Sequence, residues 1–191
     1  MGVDQIEIEG AEVRAAKKVY LMMNKPRGLV TTAADEKGRE TVYSLLPKDL
    51  SWIAPVGRLD KASEGLLLFT NDSAWGARIT DPASHLEKTY HVQIDCVADE
   101  GLIGRLKSGV TVDEGELLGA KSVRILRSGE KTSWLEIVLD EGKNRQIRRM
   151  LEANGAEVLR LVRVAIGAVR LGSLAKGEHR GLTVKEKESL E

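Results

Sequence analysis

Asp60 stands in the segment Gly57-Arg58-Leu59-Asp60-Lys61-Ala62-Ser63-Glu64-Gly65-Leu66-Leu67, where a carboxylate and a guanidinium share a glycine-flanked loop. The loop runs into an apolar stretch, and a loop anchored to a rigid strand is where a reactive side chain is well positioned. On residue type alone Asp60 can serve as a nucleophile, a general base, a metal ligand or a loop cap. A cap or a salt bridge is the commonest use of such a carboxylate. No second carboxylate cluster argues for a paired acid and base or for a metal site.

The second feature that bears on chemistry is charge. The chain of 191 residues carries 29 basic and 29 acidic residues, so its total charge favours no class of partner. The distribution is more informative: Lys143 to Arg170 holds seven basic residues (Lys143, Arg145, Arg148, Arg149, Arg160, Arg163, Arg170) against Glu152 and Glu157. Such a stripe suits a phosphate-binding face, and suits a solvated helix face about as well. The single cysteine, Cys96, excludes an intrachain disulfide framework, and the histidines at 85, 91 and 179 lack metal-ligand spacing. No apolar run reaches the roughly 20 residues of a membrane span, and no signal-peptide pattern opens the chain. These features imply a soluble protein of a reducing cytoplasm.

The elements that must position these residues mix strands and helices. Val3 to Gly10 alternates as a short strand does, and Ala15 to Lys18 reads as a linker. Val19 to Met23 is an apolar strand followed by the turn Asn24-Lys25-Pro26-Arg27-Gly28. Leu29 to Thr32 is extended, and Thr41 to Leu46 is a short helix stopped by Pro47. Gly65 to Thr70 is a buried strand. Asn71-Asp72-Ser73 then caps a helix that runs to about Thr80. Thr89 to Ile94 is a strand with Tyr90, Val92 and Ile94 on one face, followed by a helix over Ala98 to Leu106. Val123 to Leu126 and Ser133 to Leu139 are strands. Asn144 to Asn154 is a helix with Ile147, Met150 and Leu151 in one apolar stripe and Gly155 after its end. Val158 to Leu171 is extended, and the charged tail from Lys185 frays. Strands and helices do not alternate strictly, so the order predicts an α+β domain on a mixed, mainly antiparallel sheet flanked by helices.

Gly57 to Leu67 resembles the signature loop of the pseudouridine synthases, most closely the RsuA-type enzymes of ribosomal RNA. Three further segments agree in the expected order. Asn24 to Gly28 resembles the first motif of that family, and Lys88-Thr89-Tyr90-His91-Val92 the strand that carries its active-site tyrosine. Glu141-Gly142-Lys143-Asn144-Arg145-Gln146-Ile147-Arg148-Arg149-Met150 resembles the third motif, and Leu159 to Gly167 fits the family's next segment. The similarity covers about residues 19 to 184.

The resemblance implies the family's catalytic fold over residues 19–191, with the active-site cleft across the sheet. It also implies isomerisation of a specific uridine to pseudouridine in ribosomal RNA. That reaction breaks the bond from ribose to uracil nitrogen, turns the base over and rejoins it through carbon. No outside atom enters, so no metal and no cofactor is expected. Asp60 is the implied catalytic carboxylate, acting on the base or the sugar from an enclosed site where desolvation disfavours its ionised form. Arg148 is its implied partner in a bidentate pair. Tyr90 lies against the flipped uracil, and Arg58 either fills the space the base leaves or contacts a phosphate. Lys25, Arg27, Lys143, Arg145 and Arg149 are expected to bind RNA phosphates, with Ile147 and Leu161 packing around the uracil.

Residues 1–18 resemble the end of an S4-type RNA-binding domain and its linker, which makes a truncated form, or a lineage without the module, the expectation there. A monomer on ribosomal RNA, without membrane contact, is the expected state. The competing readings are a non-catalytic RNA-binding or ribosome-assembly factor, the same enzyme acting on tRNA, and, remotely, a metal-dependent nuclease. Asp60, Tyr90 and Arg148 together favour the enzyme, because a pure binder gains nothing from a carboxylate beside RNA phosphates.

Overall fold

The computed structural model describes residues 6–8, 11–13 and 17–191. The alternating N-terminal stretch forms β1 (Ile6–Ile8), paired antiparallel with β2 (Ala11–Val13) in a two-stranded sheet of their own. The rest of the expected first strand and half of the expected linker, Ala15 and Ala16, fall outside the described residues.

The central sheet starts with β3 (Tyr20–Lys25), β4 (Ala54–Val56) and β5 (Glu64–Thr70). Helix α1 (Ser73–Thr80) follows, then β6 (Lys88–Ile94) and α2 (Glu100–Ser108). The short pair β7 (Val110–Thr111) and β8 (Leu117–Leu118) precedes β9 (Ser122–Ser128) and β10 (Ser133–Leu139). Helix α3 (Gln146–Glu152), β11 (Val158–Ile166), β12 (Val169–Arg170), β13 (His179–Gly181) and α4 (Val184–Glu188) complete the chain. The order across the sheet is β13-β3-β5-β11-β6-β10-β9, with β4 on β5 and β12 on β11. Every pairing in that sheet is antiparallel except β5 with β11, so the expected α+β architecture holds.

The parallel junction is short and decisive for the site. Only Glu64 and Gly65 of β5 pair with β11, opposite Val162 and Arg163, and β4 takes over that edge of β5 further along. The junction therefore lies directly after the Asp60 loop. Gly65 is required there: it has φ of +104°, and a Cβ would fall 2.2 Å from the Arg163 backbone oxygen.

Beyond the junction β5 reads as an unbroken apolar run because both its faces are covered. Leu66 and Leu68 pack with Trp75 and Ile79 of α1, while Leu67 and Phe69 pack with Val42, Ile53 and Leu59 on the other side. A third cluster joins Val92, Leu135 and Ile137 of the sheet to Leu102 and Leu106 of α2 and to Ile147, Met150 and Leu151 of α3. Asp72 caps α1 through the Trp75 N–H, as its position predicts, and Asp99 caps α2 through Leu102.

Four local expectations need correction. Leu29 to Thr32 makes only one bridge, Val30 with Thr41, rather than a strand. The third helix begins at Gln146 and not Asn144, because Arg145 is left-handed with φ of +49°. The tail does not fray: Thr183 and Glu186 form a capping box, Arg180 pairs with Glu186, and Leu190 is buried against Val169 and Ile166. The extended stretch from Val158 is two strands, turned at Gly167 with φ of +52°.

Candidate active site

The loop of Asp60 is held from beneath by β3. The Lys25 side chain is fully buried, and its ammonium donates to the carbonyl oxygens of Ser63 at 2.7 Å and of Pro26 and Asp60 at 3.1 Å. The expectation that Lys25 binds phosphate is therefore wrong. Its charge is spent on the loop backbone, and burial pulls its pKa down to about 8 against the raising influence of Asp60 and Glu64. Thr31 secures the near end of the loop by bonding Leu59 in both directions. Gly28 N–H donates to Lys61 carbonyl, so the first and second sequence motifs are one structural unit.

From this frame the Asp60 carboxylate faces a cleft of about 230 Å³ that crosses the sheet. The loop supplies Arg58, Leu59 and Asp60 to its wall. Lys88 and Tyr90 come from β6, Ile147 and Arg148 from α3, and Leu161 and Arg163 from β11; Lys143 and Arg145 precede α3. Tyr90 sits opposite Ile137 on one side and Arg163 on the other, which fixes its place on the sheet. Six basic side chains and one carboxylate line the cleft, so its charge suits a polyanion.

Asp60 and Arg148 are together, but the bidentate pair between them is not formed. Arg145 Nη1 donates to Asp60 Oδ2 at 3.1 Å, while Arg148 Nε stands 3.9 Å from the same oxygen. Arg145, with its left-handed backbone, immediately precedes α3, and that conformation turns its side chain to the loop. The Arg148 guanidinium is largely buried and donates to Ala62 carbonyl at 3.3 Å and Ser63 Oγ at 3.4 Å. Its Nε is buried with no hydrogen-bond partner among the described residues. Burial, together with the Arg145 charge, pulls its pKa down, with Asp60 opposing. Side-chain contacts of this length can tighten when a ligand fills a cleft. Nor is Asp60 enclosed in the free protein, since 37% of its side chain is exposed.

The remaining expected residues divide. Arg58 and Lys143 lie exposed on the cleft. Arg27 is exposed but outside the cleft wall, near Leu159 carbonyl at 3.4 Å. Arg149 is turned to other work: it pairs with Glu116 at 2.5 Å and Asp113 at 3.6 Å and is not part of the cleft wall, unlike Lys143 and Arg145. Lys88, Ser63 and Gln146 were not expected, and Arg163 was expected only as a member of the basic stripe. Period-two spacing reveals Lys88 from Tyr90 and Arg163 from Leu161 on the same strand faces. Gln146 anchors the third motif, donating to Gly119 carbonyl at 2.9 Å and accepting from Lys143 N–H at 3.3 Å. The bond to Lys143 is local, but nothing in the sequence marks the one to Gly119, which lies in a distant loop.

A family model described as RNA pseudouridylate synthase matches residues 19–153. The chain belongs to the RNA pseudouridylate synthase family. Ribosomal large subunit pseudouridine synthase B of Bacillus subtilis (strain 168) is 37% identical over 186 residues, covering 97% of this chain and 76% of that protein. An uncharacterized RNA pseudouridine synthase of Aquifex aeolicus (strain VF5) is 36% identical over 185 residues, covering 96% of this chain and 74% of its own length. The crystal structure of a pseudouridylate synthase superposes with a TM-score of 0.80 at 33% identity, over 91% of this chain and 74% of that one. Members of the family are isomerases, and the matched span contains Asp60, Tyr90 and Arg148. Among the described residues no helix is long and apolar enough to cross a membrane.

Proposed function

We propose that this synthase isomerises a specific uridine of ribosomal RNA, with Asp60 as the catalytic carboxylate. The observation that carries the reading is a single carboxylate, held by Arg145 at 3.1 Å, in a cleft whose other charged side chains are all basic. A phosphate-binding surface has no electrostatic use for a carboxylate, so the arrangement favours chemistry at Asp60 over binding alone. The name of the Bacillus subtilis relative, which states the ribosomal large subunit, supports that substrate class.

In this reading the target uridine leaves its stack to reach the cleft, at an unstacking cost of a few kcal/mol. Tyr90 presents a flat face to the uracil, and Ile147 and Leu161 supply apolar packing around it. Arg58 enters the RNA from the loop, and Lys143, Arg145 and Arg27 hold phosphates, so affinity falls as salt rises. Arg148 fixes the loop through Ala62 and Ser63 and closes on Asp60 when substrate arrives. The Asp60 carboxylate then acts on the base or the sugar while the glycosidic bond moves from nitrogen to carbon.

Mapping pseudouridine in ribosomal and transfer RNA from cells with and without the gene tests the substrate. Loss at one ribosomal position, or a few neighbouring ones, is expected. Loss in tRNA alone would contradict the substrate class, and no loss anywhere would favour an assembly factor.

A further inference from the structure

A second groove, of about 330 Å³, lies beside the cleft and shares Val56, Gly57 and Thr80 with it. One wall is Trp52, which at 70% exposure is among the most exposed large apolar side chains described. A lone exposed apolar side chain is ordinary on a protein surface, but an indole that walls a groove beside the cleft offers a flat face for stacking. Its lining includes the small or apolar residues Pro55, Val56, Gly76 and Ala77, which leave room for a flat ring.

The rim carries little that could read a base edge. Asn71 spends its amide on Val19 N–H and Lys17 carbonyl. Asp72 is occupied by Lys18, the Tyr20 hydroxyl and the Trp75 N–H. Thr80 bonds back to Gly76 carbonyl at 3.0 Å. Thr70 is engaged with Val19 carbonyl and Asp72 N–H. What remains is a π face and the exposed hydroxyl of Ser73, which can both donate and accept and so does not discriminate between bases. The ridge between groove and cleft is low, because Gly57 presents no side chain and has a φ of +73° that favours glycine. Arg58 follows it on the cleft side, where the phosphate joining two adjacent nucleotides would pass.

We propose that this groove takes the base of a nucleotide neighbouring the target uridine, stacked on Trp52 without sequence preference. The proposal rests on the RNA-modifying reading of the cleft. It is tested by steady-state pseudouridine formation on a transcript of large-subunit ribosomal RNA, comparing wild type with Trp52→Ala, Trp52→Leu and Trp52→Phe. Loss of one stacked base should raise KM about tenfold in the Ala and Leu variants with kcat retained, and Phe should restore it. Equal KM in all four proteins would overturn the proposal, as would an equal defect in Phe and Leu. So would a change of sedimentation on Trp52→Ala, which would make the groove a contact between copies. Product from wild type is the control for the cleft itself. Without it the functional reading fails, and RNA affinity measured by filter binding across the same variants still decides the groove.

Discussion

The ammonium of Lys25 lies 3.1 Å from the backbone carbonyl oxygen of Asp60, directly behind the carboxylate that the cleft exposes. Its bonds to Ser63 and Pro26 use its remaining donors, so one buried cation ties the turn after β3 to both ends of the Asp60 turn. Replacing Lys25 with Met would leave these carbonyls without their donor. Stability should fall by about 2–4 kcal/mol, and activity should fall further than RNA affinity, because the loop loses its position. Urea unfolding and product formation well below the melting temperature check this. A variant of unchanged stability would contradict the bracing role.

Arg145 and Arg148 should fail differently. Arg145→Gly keeps the left-handed backbone that φ of +49° requires and removes the hydrogen bond to Asp60. It should weaken RNA binding and lower turnover. Arg148→Lys keeps the charge but cannot reach Ala62 carbonyl, Ser63 and Asp60 at once. A catalytic group displaced by about 1 Å costs on the order of a hundredfold in rate, so kcat should drop by about that factor with RNA affinity little changed. Equal kcat in Arg148→Lys and wild type would show that its fork geometry is not used.

The main elements were legible in the sequence because their patterns are local. The apolar run of β5, the period-two faces of β6 and β10, the Asp72 cap and Gly155 each announce themselves within a few residues. The site was legible as a set of residues through motif resemblance, but not as a set of contacts. Which arginine touches Asp60 depends on a single left-handed residue before α3. Whether Lys25 or Arg149 faces solvent depends on what lies across the fold: loop carbonyls for the first, Glu116 and Asp113 for the second. The short strands β4 and β13 exist only as partners of β5 and β3, so no run of their own marks them. The tail reads as charged and loose until Arg180 and Leu190 are seen to hold it.

That C-terminal lock carries a pH signature. The Arg180 guanidinium, bidentate on Glu186 at 2.7 and 2.8 Å, and the Thr183 N–H hold the Glu186 carboxyl at about 2. Its ordinary value is 4.5, so the folded state favours the ionised form. The resulting stability is fully present above about 4.5 and is lost as pH falls from there toward 2. Glu186→Gln should cost about 1 kcal/mol near neutrality. The gap in melting temperature between the two proteins should close as pH drops below that value. A gap that is constant down to pH of about 3 would contradict the assignment.

The most direct test of the central claim is product formation by purified Asp60→Asn on a ribosomal RNA transcript that wild type modifies, with RNA affinity measured alongside. The substitution keeps size and hydrogen bonding at a position whose side chain is partly exposed, so folding and affinity should stay near wild type. Pseudouridine should fall below detection. Turnover within about tenfold of wild type would contradict Asp60 as the catalytic carboxylate, because loss of a reacting group costs far more.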